Sequence, residues 1–355
     1  MSINEQTLRL LDGRRAQLRT ITDGPERTLT RGFAQAWNSV QADLDAAILE
    51  AAARVQAGER VTFRQLNRID RFRGAVGRLA EQLDDLAATG RVEIVNAVDD
   101  AVSLVRESDP RVLVSQFPPT VQAEALRSFT DRSAGLAFDR IVDRSREQIV
   151  SRLQPLSADA EASMRRQLIR GVTVGDNPRV TASRMLSQLE SEFAGGLTRA
   201  LRVARTETLD AYRGADQLWS EANRDVIGHR RWLSARDERV CGSCIAQDGT
   251  EWPVGTFGPE DHVNGRCTFV DVVRPWSQLG FATPEPQSVL EPARVWFDRQ
   301  PFDVRRQIMG PGRLAALEDG RIGWSDLSRR VDNPGWRPSF QLTPLRDLGV
   351  ETVAA

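Results

Sequence analysis

Apolar side chains in the first 150 or so residues recur every three to four positions. In "AWNSVQADLDAAILEAAARV" they fall at Trp37, Val40, Leu44, Ile48, Ala51 and Val55, one face of a helix. Gly58 closes that run. A second run carries Leu66, Ile69, Phe72, Val76, Leu79, Leu83 and Leu86 at nearly heptad spacing. A third begins after Gly90, with Val92, Val95, Val98, Val102 and Val105. Long amphipathic helices joined by short turns predict antiparallel hairpins or a bundle with a core of its own. Pro110 and the "QFPPT" turn interrupt the pattern, helix resumes to about Leu153, and Pro155 marks a boundary.

Beyond Pro155 the helices shorten. "SADAEASMRRQLIRG" predicts a helix stopped by Gly171. Asn177 caps the next, with Pro178 at its first position. Gly195-Gly196 predicts a break before "LTRALRVARTETLDAYRGADQLWSEAN". After Asp225 the period changes. "HRRWLSA", "GTEWPV" and "CTFVDVV" read as short strands between turn signals, Asp248-Gly249 among them. From Pro275 the chain turns rich in Pro, Gly and Trp, with two or three short helices and Gly310 and Gly320 as stops. The expected fold is mainly α: an N-terminal helical region (1–155), a helical domain with a small antiparallel β module (156–275), and a tail (276–355).

Composition narrows the chemistry. The 355 residues carry a net charge of −1, so nothing marks a nucleic-acid coat. All 48 basic residues are arginine, as codon bias can produce. A chain without lysine has no Walker-type phosphate loop and no Schiff-base lysine. Its two histidines, His229 and His262, are too far apart for an HExxH metalloprotease. No run approaches the roughly 18 apolar residues of a membrane span, and "MSINEQTLRLLDGRRAQLRT" lacks a signal-peptide core, so a soluble protein is expected.

All three cysteines sit in one stretch with His262, spaced Cys241-x2-Cys244, seventeen residues, then His262-x4-Cys267. Two thiolates from a tight knuckle, joined by a second pair from a returning strand, make the three-sulfur, one-nitrogen set of a structural zinc site. A module of three short strands also lacks core enough to hold itself without such a staple. Three alternatives stand beside zinc: catalysis, by a deaminase or a nuclease, a redox pair, and plain thiols. A zinc deaminase would need H-x-E before its cysteine pair, yet the residue two beyond His262 is Asn264. "DHVNGR" matches the start of a histidine nuclease motif, but no further histidine follows. A thioredoxin-like pair would open a helix after a strand, whereas the surroundings here read as strand, turn, strand. Three ordinary thiols near a surface histidine is the plain alternative. Trp232 and Trp252 are expected to fill the core under the knuckle, Asp237 to cap the turn into it, and His229 to lie at the surface.

The combination of "ARTET" on a helix, "RRWLSARDERVCGSCIAQDGTEWP" and "HVNGRCTFVDVV" resembles the Mu F-like phage head morphogenesis domain over residues 156–275. Arg205, Thr206, Glu207, Trp232, Asp237, Cys241, Cys244, Asp248, Gly249, His262, Asn264, Arg266 and Cys267 fall on its pattern. Val263 replaces a usual proline, and Gly265 replaces the first cysteine of the ending. The resemblance implies a non-enzymatic minor capsid protein of the virion. It would be built into the procapsid in the host cytoplasm, at or near the portal vertex. Its partners would be the portal and other head proteins, with DNA packaging or delivery as a further task, and with no membrane or small-molecule substrate. The ligands would be Cys241, Cys244, His262 and Cys267 around Zn2+, with Arg205, Glu207, Trp232, Asp237, Asp248 and Asn264 in support. Arg205 and Glu207, two apart on their helix, would anchor the β module or another helix. A metal-dependent nuclease acting on phage DNA is the alternative from a different class.

Overall fold

The computed structural model describes residues 3–59, 68–153, 178–262, 264–334 and 337–350. Leu66, Pro155, Val263 and the stretch with the expected Gly171 stop and Asn177 cap lie outside them. The protein is mainly helical: a long N-terminal helical hairpin, then helices with two small antiparallel sheets.

The hairpin consists of α1 (Glu5–Gln56) and α2 (Asp70–Val114). Ser39 bonds Gln82 at 2.9 Å, and Asp43 pairs with Arg78, so the two run antiparallel. The second and third sequence runs are one helix, because neither Gly90 nor Pro110 ends α2. A Cβ at Gly90 would lie 2.8 Å from Leu29 Cδ2, and one at Gly32 would lie 2.3 Å from Leu86 Cδ1. Each glycine is a recess for the opposite helix's leucine, and that packing offsets the roughly 1 kcal/mol that mid-helix glycine costs. Pro110 has no N–H to give the Arg106 carbonyl, and the buried Ser133 hydroxyl donates to that carbonyl instead, at 3.1 Å. The buried face of this part of α2 is Ile94, Ala97, Val98, Ala101, Val102 and Val105, while Val92 is exposed. Val98, Val102 and Val105 of the expected stripe are thus buried and Val95 half-buried, and only Val92 departs from it.

Helices α3 (Gln122–Ala134) and α4 (Asp139–Leu153) follow, then α5 (Pro178–Ala222), which starts on the expected proline. α5 passes through Gly195-Gly196 without the expected break. Two glycines weaken a helix of 45 residues but do not end it when flanking turns continue the ladder.

The chain forms two compact units, each assembled from separated pieces. One comprises Thr20–Asp99 and Asp143–Thr208; the other comprises Met1–Arg19, Asp100–Val142 and Leu209–Ala355. The second unit holds the strands β1 (Ile227–Leu233), β2 (Glu251–Trp252) and β3 (Thr268–Val273), in antiparallel order β2-β1-β3. Trp232 faces Phe269 in register, and Arg230 faces Asp271.

Both faces of β3 are buried. Phe269 packs with Trp232 on one side, and Val270 and Val272 pack with Ile3, Leu11, Val112 and Leu233 on the other. The ends of α1 and α2 therefore share a core with the β module instead of closing on themselves. They also cover its free edge. Arg14 donates to the Phe269 carbonyl at 2.9 Å, and the Gln116 amide donates to the Asp271 carbonyl at 2.9 Å and accepts the Val273 N–H at 3.2 Å.

One short helix, α6, lies within the β module, and the tail contributes α7 to α9 and a second sheet. α6 (Gly242–Gln247) lies between β1 and β2; α7 (Ala293–Asp298), α8 (Phe302–Met309) and α9 (Pro311–Glu318) follow β3. Gly310 at φ 74° separates α8 from α9, and Gly320 at φ 70° follows α9, as expected of stops. The hairpin of β4 (Ser328–Val331) and β5 (Ser339–Leu342) is new, its strands too short and polar to register as a pattern. Phe297, Ile308, Met309, Leu314 and Leu327 pack with Trp232, Cys244, Cys267 and Phe269. The small module thus does not rely on its own residues for a core: the tail supplies much of it.

Candidate metal centre

The first ligand pair is set by the connection from β1 to α6. The buried Asp248 carboxylate accepts the Ser234 N–H at 3.0 Å, the Ser234 hydroxyl at 2.6 Å, and both Arg236 Nε and Nη2 at 3.0 and 2.8 Å. It draws the end of the strand and the end of the short helix together. Asp237 accepts the Arg239 N–H at 3.0 Å, the turn-capping role expected of it, and also grips Arg266 through two bonds of 2.5 and 2.7 Å. Burial pushes the Asp237 carboxyl up, but the bonds and charge of Arg266 outweigh it and hold the group below its ordinary value. That pair ties the first ligand loop to the second.

Cys241 is the N-cap of α6, and its sulfur accepts the Cys244 N–H at 3.3 Å. The cysteine pair therefore opens a helix after a strand, which corrects the strand-turn-strand reading. The setting still differs from a thioredoxin-like βαβ unit, because β1 and β2 run antiparallel. Gly242 is explained by packing: a Cβ there would lie 2.9 Å from both Leu342 Cδ1 and Met309 Sδ.

His262 comes from the loop before β3. Its Nε2 lies 3.1 Å from Cys241 Sγ, and the ligand atoms of Cys241, Cys244 and His262 all fall within 4.8 Å of one another. Cys267 is buried in the same core as Cys244, but it does not join this three-atom group. Asn264 adopts φ 64°, a left-handed conformation that Asn tolerates, and Gly265 N–H closes the turn on the His262 carbonyl at 2.8 Å. Its backbone shapes the loop. The hydrogen bond from Cys244, helped by His262 against the effect of burial, holds the Cys241 thiol down to about 4. Its bonds to Cys241 and Cys267, together with burial, push the Cys244 thiol well above its ordinary value. One thiolate, a second thiol and an imidazole converging in a mostly buried place can hold a metal ion, with the second thiol's proton released on binding.

Trp232 sits under the centre as expected, fully buried, with ring centroids 6.1 Å from Trp252, 6.4 Å from Phe269 and 5.8 Å from Phe340. His229 lies on β1, 3.4 Å from Glu251, and does not belong to the cluster. Arg205 pairs with Glu26 of α1, another helix, and Glu207 is buried; both belong to the compact unit that does not contain the cysteines. Two residues to which the sequence reading gave no structural role bind the second ligand loop: Arg213 of α5, and Asp261. Only the apolar spacing around Arg213 in "LDAYRGADQLW" hinted that it faces inward.

No family model, curated protein or solved structure matches the chain. Its resemblance to the Mu F-like domain rests on the motif residues alone.

Proposed function

We propose that this protein is a non-enzymatic minor head protein of a phage, in which Cys241, Cys244, His262 and Cys267 hold one structural zinc ion. The observation that carries the reading is the convergence of Cys241, Cys244 and His262, with Trp232, Asp237, Asp248, Asn264 and Arg266 around them. Cys267, buried in one core with Cys244, is the fourth donor. Four protein donors leave no coordination position for water, which favours scaffolding over hydrolysis. Among the described residues no helix is long and apolar enough to cross a membrane. The work of the molecule is then to present surfaces to the portal and other head proteins during procapsid assembly.

Co-expression with the portal and major head proteins of the same phage tests this. The full chain should co-sediment with portal-containing particles, and purified protein should leave plasmid DNA intact with magnesium, manganese or zinc. Exclusion from particles would contradict the head-protein reading. Metal-dependent cleavage lost on His262→Ala would establish the nuclease instead.

A further inference from the structure

The second ligand loop is gripped by two fully buried charges that are not themselves ligands. Arg213 projects from α5, and its Nη2 donates to Asp261 Oδ2 at 2.6 Å, to the Gly265 carbonyl at 3.2 Å and to the Cys267 carbonyl at 2.9 Å. Asp261 Oδ2 in turn accepts the Cys267 N–H at 3.1 Å. Cys267 is thus fixed at both its N–H and its carbonyl, and His262 is the immediate neighbour of Asp261. The carboxylate fills the inside of the loop: a Cβ at Gly265 would lie 2.1 Å from Oδ2. This explains glycine where the Mu F-like pattern has a cysteine. Arg337 of the tail closes the network, 2.8 Å from Asp210 and 3.5 Å from Asp261.

Two ions removed from water cost several kcal/mol, and a pair that only filled space would be matched by apolar side chains. Its bonds are spent instead on the backbone at both ends of one loop. We propose that the Arg213–Asp261 pair is the positioning device of the metal site, holding His262 and Cys267 in place opposite Cys241 and Cys244 before metal arrives. The proposal rests on the metal-site reading. Arg213 and Asp261 are positioning residues, and no bond to metal is assigned to either.

Asp261→Asn in the full chain removes the charge and keeps the shape. Cobalt(II) binding, followed by thiolate-to-cobalt absorption in competition with a chelator, should weaken about 10- to 100-fold, the usual cost of losing a group that orients a ligand. The urea midpoint of the metal-free protein should move far less, and Cys267 should be alkylated faster in the metal-free variant. Arg213→Lys, which keeps the charge but not the three-way grip, should lose affinity in the same direction. Wild-type affinity in Asp261→Asn would overturn the proposal, as would an affinity loss fully matched by lost metal-free stability. If wild type and variants alike bind no cobalt, the metal-site reading fails. The grip is then judged by Cys267 alkylation, where equal rates in wild type and variant overturn it.

Discussion

The hairpin between Thr20 and Asp99 and the strands around the ligands are held by opposite means. In the hairpin, Leu29, Phe33, Val40, Leu44, Leu79 and Leu83 are buried, while its polar links, Ser39 to Gln82 and Asp43 to Arg78, lie exposed. Around the strands the charges are inside. Arg230 is fully buried between Asp216 and Asp271, with its guanidinium 4.7 Å from the Phe269 ring centroid, and Arg14 pairs with Asp109 at 2.7 Å. Apolar packing accepts small errors at small cost. A buried ion accepts none, because losing its partner strands a charge away from water. The hairpin is therefore specified by a repeating local pattern, and the ligand region by a few long-range polar contacts that admit one arrangement.

The most severe way to break this contrast is Arg230→Met, which leaves Asp216 and Asp271 buried without their shared cation. It should destabilise the unit that holds the strands by about 3–5 kcal/mol. Urea denaturation would read this, and hydrogen exchange should find the amides of residues 20–50 still protected. Loss of less than about 1 kcal/mol, typical of an exposed pair, would contradict the account.

A second probe is pH. Burial, opposed by Arg14 and reinforced by Asp216 and Asp271, pushes the Asp109 carboxyl up to about 7; burial likewise pushes Asp271 up to about 6 despite Arg230. The folded state therefore keeps protons that the unfolded chain releases near the ordinary value of 3.8. Stability from these groups is greatest below that value, falls as pH rises through the folded values, and is level above about 7. With chelator present, wild type should lose stability between pH of about 4 and about 7, and Asp109→Asn should lose less. Identical slopes would mean that Asp109 holds no buried proton.

The mildest test sharpens the hairpin side. Gly32→Ala places a methyl where Leu86 packs and should cost about 1–3 kcal/mol as an overpacked contact. Leu86→Ala in the same chain should recover part of that cost, giving a coupling measurable in a double-mutant cycle. Additive effects would place Leu86 elsewhere.

What could be read in the sequence follows the same division. The helical period marked most of the hairpin, and the change of period after Asp225 located all three strands of the first sheet. The ligand spacing brought Cys241, Cys244 and His262 together correctly. Gly90, Pro110 and Gly195-Gly196 were misread because their usual breaking effect is a local preference, overcome by Leu29, by Ser133 and by the length of α5. The Arg213–Asp261 grip joins residues 48 positions apart, and the tail core joins Phe297 and Met309 to Cys244 and Cys267. Neither leaves a periodic trace. The helix opened by Cys241 is six residues long, too short for any period to emerge.

The most direct test of the metal centre is elemental analysis of the full chain purified without chelator, followed by X-ray absorption at the metal edge. The account predicts one zinc per chain bound by three sulfurs at about 2.3 Å and one nitrogen at about 2.0–2.1 Å, lost in Cys241→Ser. A folded, metal-free protein whose three cysteines all react with a thiol reagent would contradict it.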